Sequence, residues 1–468
     1  MVFIAGRARG IRFAGSSFAL SVGKEKKGVD QFFKISERKS TVGNEVIGGL
    51  TTFLAMAYII AVNPLMMSIA GIPFDAALTS TCFGAAIMTI AMGIFANRPL
   101  ALASGMGINA IVAYSLCGAT ALGVDWRVAM AVIFLEGVLI LVLVLCGLRK
   151  AIMDAIPVNV RRAIGIGIGL FVAFIGLKGG GIIVGNEATI LTLGDLTSAQ
   201  CIVALVAIAL AVVLETLKVK GTLLISIVAA TIVGIPLGVT VMPTTMNFGL
   251  DFSAFAAPFQ IDPQSNTVAI LQVVTTPALL MFVFSLLMSD FFDTMGTVMG
   301  VADRADFVDK DGNIEDIQPI LMVDSAAAVL GGFFGASSIT TYAESTAGAV
   351  AGARTGLSNV IIGVLFAVFA FFAPVIGMVS APATCGALVV VGYLMMTGVG
   401  EIDWTSMDSA FPAFITIMGI PLTYSITDGI GFGFVSYVVI KVAQGKIGEI
   451  KPLMWVATVA FFLMFIFA

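Results

Sequence analysis

The sequence predicts an all-α integral membrane protein of fourteen transmembrane segments. Three observations carry that prediction. Hydrophobic residues make up 59% of the chain and charged residues 11%, against about 25% charge in a soluble domain. Mean hydropathy is +1.08. From Gly43 onward apolar stretches follow in close order, most of them near the ~20 residues a helix needs to cross the hydrocarbon core.

Taken in order, the segments fall near 45–66, 77–96, 104–118, 127–147, 160–177, 199–216 and 220–238. A polar connection, 239–268, divides the chain. The second set lies near 271–300, 319–335, 343–354, 358–378, 381–399, 409–440 and 452–468. The first ~28 residues are basic, and their apolar run is broken by Gly-Ser, which suits a disordered cytoplasmic tail (1–31) or a mis-assigned start better than a signal peptide. The thirteenth segment is long and contains Pro412 and Pro421, so it bends or forms two pieces.

Basic residues orient the spans. Lys24, Lys26, Lys27, Lys34, Arg38 and Lys39 precede the first segment, and Arg98, Arg149, Lys150, Arg161, Arg162, Lys218, Lys220, Arg304 and Lys310 fall on the same side. This bias predicts a cytoplasmic N-terminus in a cell membrane. Fourteen crossings put Lys446 and Lys451 outside, against the rule, unless 409–440 crosses twice.

The third and tenth segments are short and alike in design. Arg98-Pro-Leu-Ala-Leu-Ala103 is extended and runs into Ser104-Gly-Met-Gly-Ile-Asn-Ala110, a helix start. Ser338-Ile-Thr-Thr-Tyr342 is β-prone and runs into Ala343-Glu-Ser-Thr-Ala-Gly348. Interrupted segments in corresponding halves point to a transporter binding site, with free N–H groups at the half-helix starts. Two unrelated Gly-rich kinks are the simpler alternative.

Composition closes several routes. There is no histidine, which excludes a Ser-His-Asp triad, an HExxH zinc site and haem-histidine ligation. Cys82, Cys117, Cys146, Cys201 and Cys385 are scattered in apolar segments without a CxxC, so no metal, redox centre or other cofactor is expected. A net charge of −4 gives no case for nucleic acid. Asp309-Lys-Asp-Gly-Asn-Ile314 looks like a calcium loop, but aligning Gly312 with the invariant glycine puts Phe307 at the first ligand position.

Intramembrane acids are the sharpest signal, because charge there is costly and usually faces a cavity. Asp290 and Asp293 are three apart on the eighth segment and share a helix face. Two close carboxylates in a low dielectric resist ionising together, which makes them a proton-loading pair, or else a polar clasp on a broken helix. Glu344 opens the tenth segment, as substrate acceptor or as helix cap. Asn109 is packing glue or a ligand contact, and Gly105, Gly107 and Gly348 allow close backbone approach. Glu136, Glu215, Asp324 and Asp428 are weaker candidates.

Four stretches carry a family likeness: Gly49-Leu-Thr-Thr-Phe-Leu-Ala-Met-Ala-Tyr-Ile-Ile-Ala-Val-Asn-Pro64, Ser104–Ala110, Asp290-Phe-Phe-Asp-Thr-Met-Gly-Thr297 and Tyr342–Gly356. In sequence and order they resemble the adenine/guanine/hypoxanthine permease branch of the nucleobase–cation symporter-2 (xanthine/uracil permease) family, over residues 32–468. The resemblance implies a 7+7 inverted repeat, 32–238 and 269–468, with short strands before half-helices 3 and 10. Segments 1–4 and 8–11 form a core domain, and segments 5–7 and 12–14 a gate domain. It implies import of purine nucleobases by symport, with a proton as coupling ion in preference to sodium, and a homodimer through the gates. A xanthine/uracil-type permease is the alternative, and an anion exchanger or channel a more distant one.

Residue by residue, the resemblance places Asn109, Asp293 and Glu344 on the substrate; Ser345, Thr294, Phe53 and Tyr342 are the further candidate contacts. It places proton coupling on Asp290, Asp293 and Glu344. A carboxylate accepts paired N–H groups of a base edge, and Phe53, Phe292 or Tyr342 offers a stacking face.

Overall fold

A buried two-stranded ribbon stands among described residues that are mostly helical. The computed structural model describes residues 28–118, 122–147, 157–243, 249–308, 314–315 and 317–467, and the side chains of Phe292, Asp303, Met464 and Phe467 are outside that description. The N-terminal tail through residue 27, Arg149, Lys150 and the 309–313 turn therefore lie outside the described residues. Among those described, ten helices are long and apolar enough to cross a membrane, and four further apolar helices are shorter.

Helix α1 (Val42–Met56) starts where the Thr41 side chain accepts from the Asn44 N–H. After a break at Ala57 and Tyr58 the chain resumes as α2 (Ile59–Ile69). Helix α3 (Phe74–Ala91) ends in a π turn closed by Asn97 in the left-handed region, φ 48°. Strand β1 (Leu102–Ser104) and α4 (Met106–Ala110) come next, and α4 continues as a π-helical stretch, Ile111–Leu116. Beyond it lie α5 (Trp126–Leu145), α6 (Val158–Gly179), an exposed hairpin of β2 (Ile183–Asn186) and β3 (Ile190–Leu193), α7 (Ala199–Thr216) and α8 (Thr222–Gly234). The part of the polar connection from 249 onward has local structure. It holds β4 (Ile261–Asp262) and β5 (Thr267–Val268), and Gln260 accepts from the Arg127 guanidinium at the start of α5, 2.9 Å away.

The second half begins with α9 (Ala269–Thr275). Extended Thr276 and Pro277 break it from the long α10 (Pro277–Arg304), so the apolar span starts later than 271. The remaining elements are α11 (Ile317–Phe334), β6 (Ile339–Thr341), α12 (Ser345–Val350), α13 (Leu357–Phe369), α14 (Ala373–Ile376), α15 (Ala381–Met396), α16 (Met407–Thr423), α17 (Ile426–Ala443) and α18 (Pro452–Phe467).

The thirteenth expected segment is thus two helices. Both prolines sit inside α16, and the break falls after them. Tyr424 takes the left-handed conformation, φ 59°, and the Ser425 side chain caps α17 by accepting from the Asp428 N–H. The hairpin enters and leaves on one side: Lys441 at the end of α17 lies 2.6 Å from Asp408 at the start of α16, and Lys446 lies 3.6 Å from it. Arg162, near the start of α6, pairs with Glu401 on that side at 3.1 Å. The basic residues of both regions therefore share one face, and the conflict raised by Lys446 disappears.

Strands β1 and β6 pair antiparallel, with Leu102 opposite Thr341 and Ser104 opposite Ile339. Backbone at membrane depth must have partners, and side chains from neighbouring helices supply them. The Leu102 N–H donates to Thr89 Oγ1 and the Leu102 carbonyl accepts from it, at 2.9 and 2.8 Å. Asn359 donates to the carbonyls of Arg98 and Leu100. Asn63 donates to Thr81, Ser104 and the Ala336 carbonyl. All six ribbon residues are buried.

Candidate functional site

A cavity of about 600 Å³ opens beside the ribbon, a volume in the range of small-molecule sites. One wall is built by Tyr58, Gly105, Met106, Gly107, Asp293, Thr297, Thr340, Thr341, Tyr342 and Glu344. The opposite wall comes from the α7–α8 connection, Glu215 and Lys218 to Leu223, and from Val391, Leu394 and Met395 of α15. Glu215, a weaker candidate in the sequence, stands at this cavity with Lys218.

Two acids reach the cavity from different elements. Asp293 projects from the middle of α10 and is accessible to solvent there. Glu344 sits between β6 and α12, half-buried, and its Oε1 accepts from the Tyr58 hydroxyl at 2.8 Å. Tyr58 occupies the break between α1 and α2. Tyr342 lines the cavity and donates its hydroxyl to the Ser104 carbonyl, so its ring is held against β1.

Four other candidates, Ser345, Thr294, Phe53 and Asn109, do not line the cavity. Ser345 Oγ accepts from the Ala101 N–H at 3.0 Å. Thr294 donates to Asp324 at 2.8 Å and shares a hydrogen bond with Thr340. Phe53 packs edge-on against Phe366, ring centres 5.2 Å apart. Asn109 is fully buried, and neither atom of its side-chain amide has a hydrogen-bond partner. Gly105 and Gly107 line the cavity, and a Cβ on Gly107 would stand 2.7 Å from Ile168. Gly348 packs α12 onto α1.

Asp290 and Asp293 do not form the expected pair. Asp290 is buried and turned from the cavity, 3.5 Å from the Ser338 hydroxyl, with Glu136 of α5 as its neighbouring acid. The i, i+3 spacing separates the two by roughly 60° around the helix, enough for α5 to cover one and leave the other open.

Two contributors, Tyr58 and Asn63, escape a sequence reading, and so does the role of a third, Asp324. Tyr58 has no polar neighbour in sequence to flag it. Asp324 is legible as a mid-segment acid, yet its role is to accept from Thr294, Thr340 and the Thr341 N–H and so hold the ribbon. Asn63 is one polar residue in an apolar run that bridges three elements.

With this geometry in view, similarity to known proteins is extensive. The sequence model described as "Permease family" matches residues 43–432. The chain is 39% identical over 433 residues to guanine/hypoxanthine permease PbuO of Bacillus subtilis, covering 92% of this chain and 99% of that protein. It is 36% identical over 446 residues to adenine permease AdeP of Escherichia coli, covering 94% and 96%. Among solved structures it resembles the transmembrane domain of a cyanobacterium bicarbonate transporter, BicA. That likeness has a TM-score of 0.60 at 17% identity, covers 83% of this chain and 97% of the other, and concerns the fold alone.

Proposed function

The chain belongs to the Permease family, in the branch of the purine nucleobase permeases, and from that membership we propose that it imports purine bases by proton symport and alternating access. It is a multi-pass membrane transporter rather than an enzyme. In this reading residues 32–238 and 269–468 form a seven-plus-seven inverted repeat joined by 239–268. Segments 1–4 and 8–11 make the core domain, and segments 5–7 and 12–14 make the gate domain and the homodimer contact. The basic face that holds Arg162, Lys441 and Lys446 is cytoplasmic, as the positive-inside rule requires.

One observation carries the proposal: Asp293 and Glu344, from two different elements, present carboxylates to one cavity between the ribbon and the α7–α8 and α15 wall. A flat base with N–H donors on its edges meets two carboxylate acceptors on that wall. Tyr342 supplies the stacking face, because its ring lines the cavity whereas that of Phe53 does not. Ser345 and Thr294 act through the frame of the ribbon beside the acids. The cation that enters with the base is a proton, loaded through Asp290, Asp293 and Glu344.

A competition panel tests this reading. Uptake of labelled adenine should be inhibited by adenine, guanine or hypoxanthine, abolished by a protonophore, and unchanged when sodium is replaced. Inhibition by xanthine and uracil alone would favour the sister branch, and exchange with sulfate-like anions would overturn base transport.

Tyr58→Phe offers a finer check. It keeps the ring and removes the hydroxyl that orients Glu344. A hydrogen bond to a charged group contributes about 1.5–3 kcal/mol, so the half-saturating adenine concentration should rise at least roughly tenfold. An unchanged value would detach Glu344 from the base.

A further inference from the structure

The chain breaks between α16 and α17 without a proline at the turn itself. Tyr424 stands there in the left-handed region, φ 59°, which a bulky side chain rarely adopts. Three rings hold it. Phe171 and Phe174 of α6 meet it edge-on, ring centres 5.0 and 5.8 Å away, and Tyr114 meets it edge-on at 5.3 Å. The Lys178 ammonium lies 4.6 Å from the ring centre and 3.4 Å from the hydroxyl. The Ser115 hydroxyl donates to the Tyr424 carbonyl at 3.5 Å. Thr427, the second residue of α17, donates to the Ser285 hydroxyl of α10 at 3.0 Å.

These contacts lie beyond one end of the cavity. Tyr114 is seven positions past Gly107, about 10 Å along the chain's helical course, and Ser285 is eight positions before Asp293, about 12 Å along α10. Gly107 and Asp293 both line the cavity. Its other end carries exposed Glu215, Lys218 and Lys220 of the α7–α8 connection. The two ends belong to opposite faces. Helices α6 and α7 are both long enough to cross a membrane, and α7 starts beside the end of α6, where the Cys201 thiol donates to the Gly181 carbonyl at 3.0 Å. The α7–α8 connection is therefore on the face where α6 begins, the basic face that holds Arg162. Lys178, in the last turn of α6, is on the other face, and so is Tyr424 against it.

We infer that the α16–α17 break is the outer gate of the cavity, with Tyr424 and Thr427 as its plug and Tyr114 and Ser285 as its seat. The inference rests on the alternating-access reading and gives it a moving part. Phe171, Phe174, Lys178 and Tyr424 fall in segments 5 and 13, on the gate side of that reading. Tyr114, Ser115 and Ser285 fall in segments 3 and 8, on the core side. A ring contact and two hydrogen bonds between neutral groups join the two sides at this layer. Parting them strands no ion in a dry interior, which would be far more costly. The Lys178 ammonium moves with Tyr424 and keeps its partner. A base enters from the outer face only when plug and seat are apart.

The test joins plug to seat. Full-length Tyr114→Cys/Tyr424→Cys is treated in liposomes with a bis-methanethiosulfonate, which links two thiols through disulfides that a reductant reverses. Each single variant is the control for the native cysteines. Uptake of labelled adenine by the linked protein falls at least tenfold and returns on reduction, while adenine binding in detergent stays within about twofold of the unlinked protein's. Full uptake by protein whose mass shows the link overturns the inference, because plug and seat then never part. Loss of binding together with uptake also overturns it, because the sealed state must admit adenine from the inner face. Wild type that takes up no adenine overturns the purine reading instead, and the gate is then judged without substrate. An impermeant maleimide applied from the outer face should label Met395→Cys, on the cavity wall, at least tenfold faster when Tyr424→Ala is also present. Equal labelling rates overturn the gate. The same labelling decides if the double-cysteine protein is not recovered folded.

Discussion

Asp293→Asn and Glu344→Gln each reduce uptake of labelled adenine to background. Both substitutions preserve size, so the cavity keeps its shape. What changes is the hydrogen-bond pattern: each replaces an acceptor-only group with one that presents an NH₂ donor. A base edge offering N–H groups then meets a donor on one side, and the anion that strengthened those bonds is gone. Two charge-assisted hydrogen bonds lost at about 1.5–3 kcal/mol each lower affinity by well over a hundredfold. The Glu344→Gln variant still accepts from Tyr58 through its carbonyl oxygen, so its frame stays intact. Calorimetric titration with adenine on protein that elutes as wild type separates lost binding from lost folding. Normal uptake by both variants would remove these acids from the site.

Gly348→Val prevents recovery of folded protein. A Cβ at this position would meet Thr52 Oγ1 and stand 2.6 Å from the Gly48 carbonyl. The carbonyl belongs to the backbone of α1, so the strain cannot be relieved by a rotamer change. Overpacking typically costs about 1–3 kcal/mol, and here it falls where α12 and α1 are in contact. Gly165→Ala on α6 is the control, because nothing lies within 4 Å of its added Cβ. Size-exclusion profiles in mild detergent should be wild-type for the control and lost for Gly348→Val. A normal profile for Gly348→Val would show that α12 can shift away from α1.

How much of this is legible in the sequence depends on the distance over which each feature is decided. Apolar length is local, so most spans can be read directly, as can the break before α4 at Pro99 and the β-prone run at Ile339–Thr341. The acids of α10 and Glu344 stand out because charge inside an apolar segment is rare. Asp290 and Asp293 are indistinguishable until α5 is placed over one of them. Phe53 is one phenylalanine among 35, and only its partners Phe366 and Phe369 show that it serves packing. The α16–α17 break comes from Tyr424 and Ser425, where the prolines are the more visible signal.

The β1–β6 ribbon has a mechanical consequence. It stitches residues 102–104 to residues 339–341 by backbone hydrogen bonds in the buried interior. Glu344 is three positions beyond the stitched run, and Asp324, which clamps it, reaches α10 through Thr294. That side of the cavity is therefore stiff, and the two carboxylates keep a fixed spacing while they carry a load. Any rearrangement that alters access must be taken up by the opposite wall, where the α7–α8 turn and α15 meet the cavity without a strand between them.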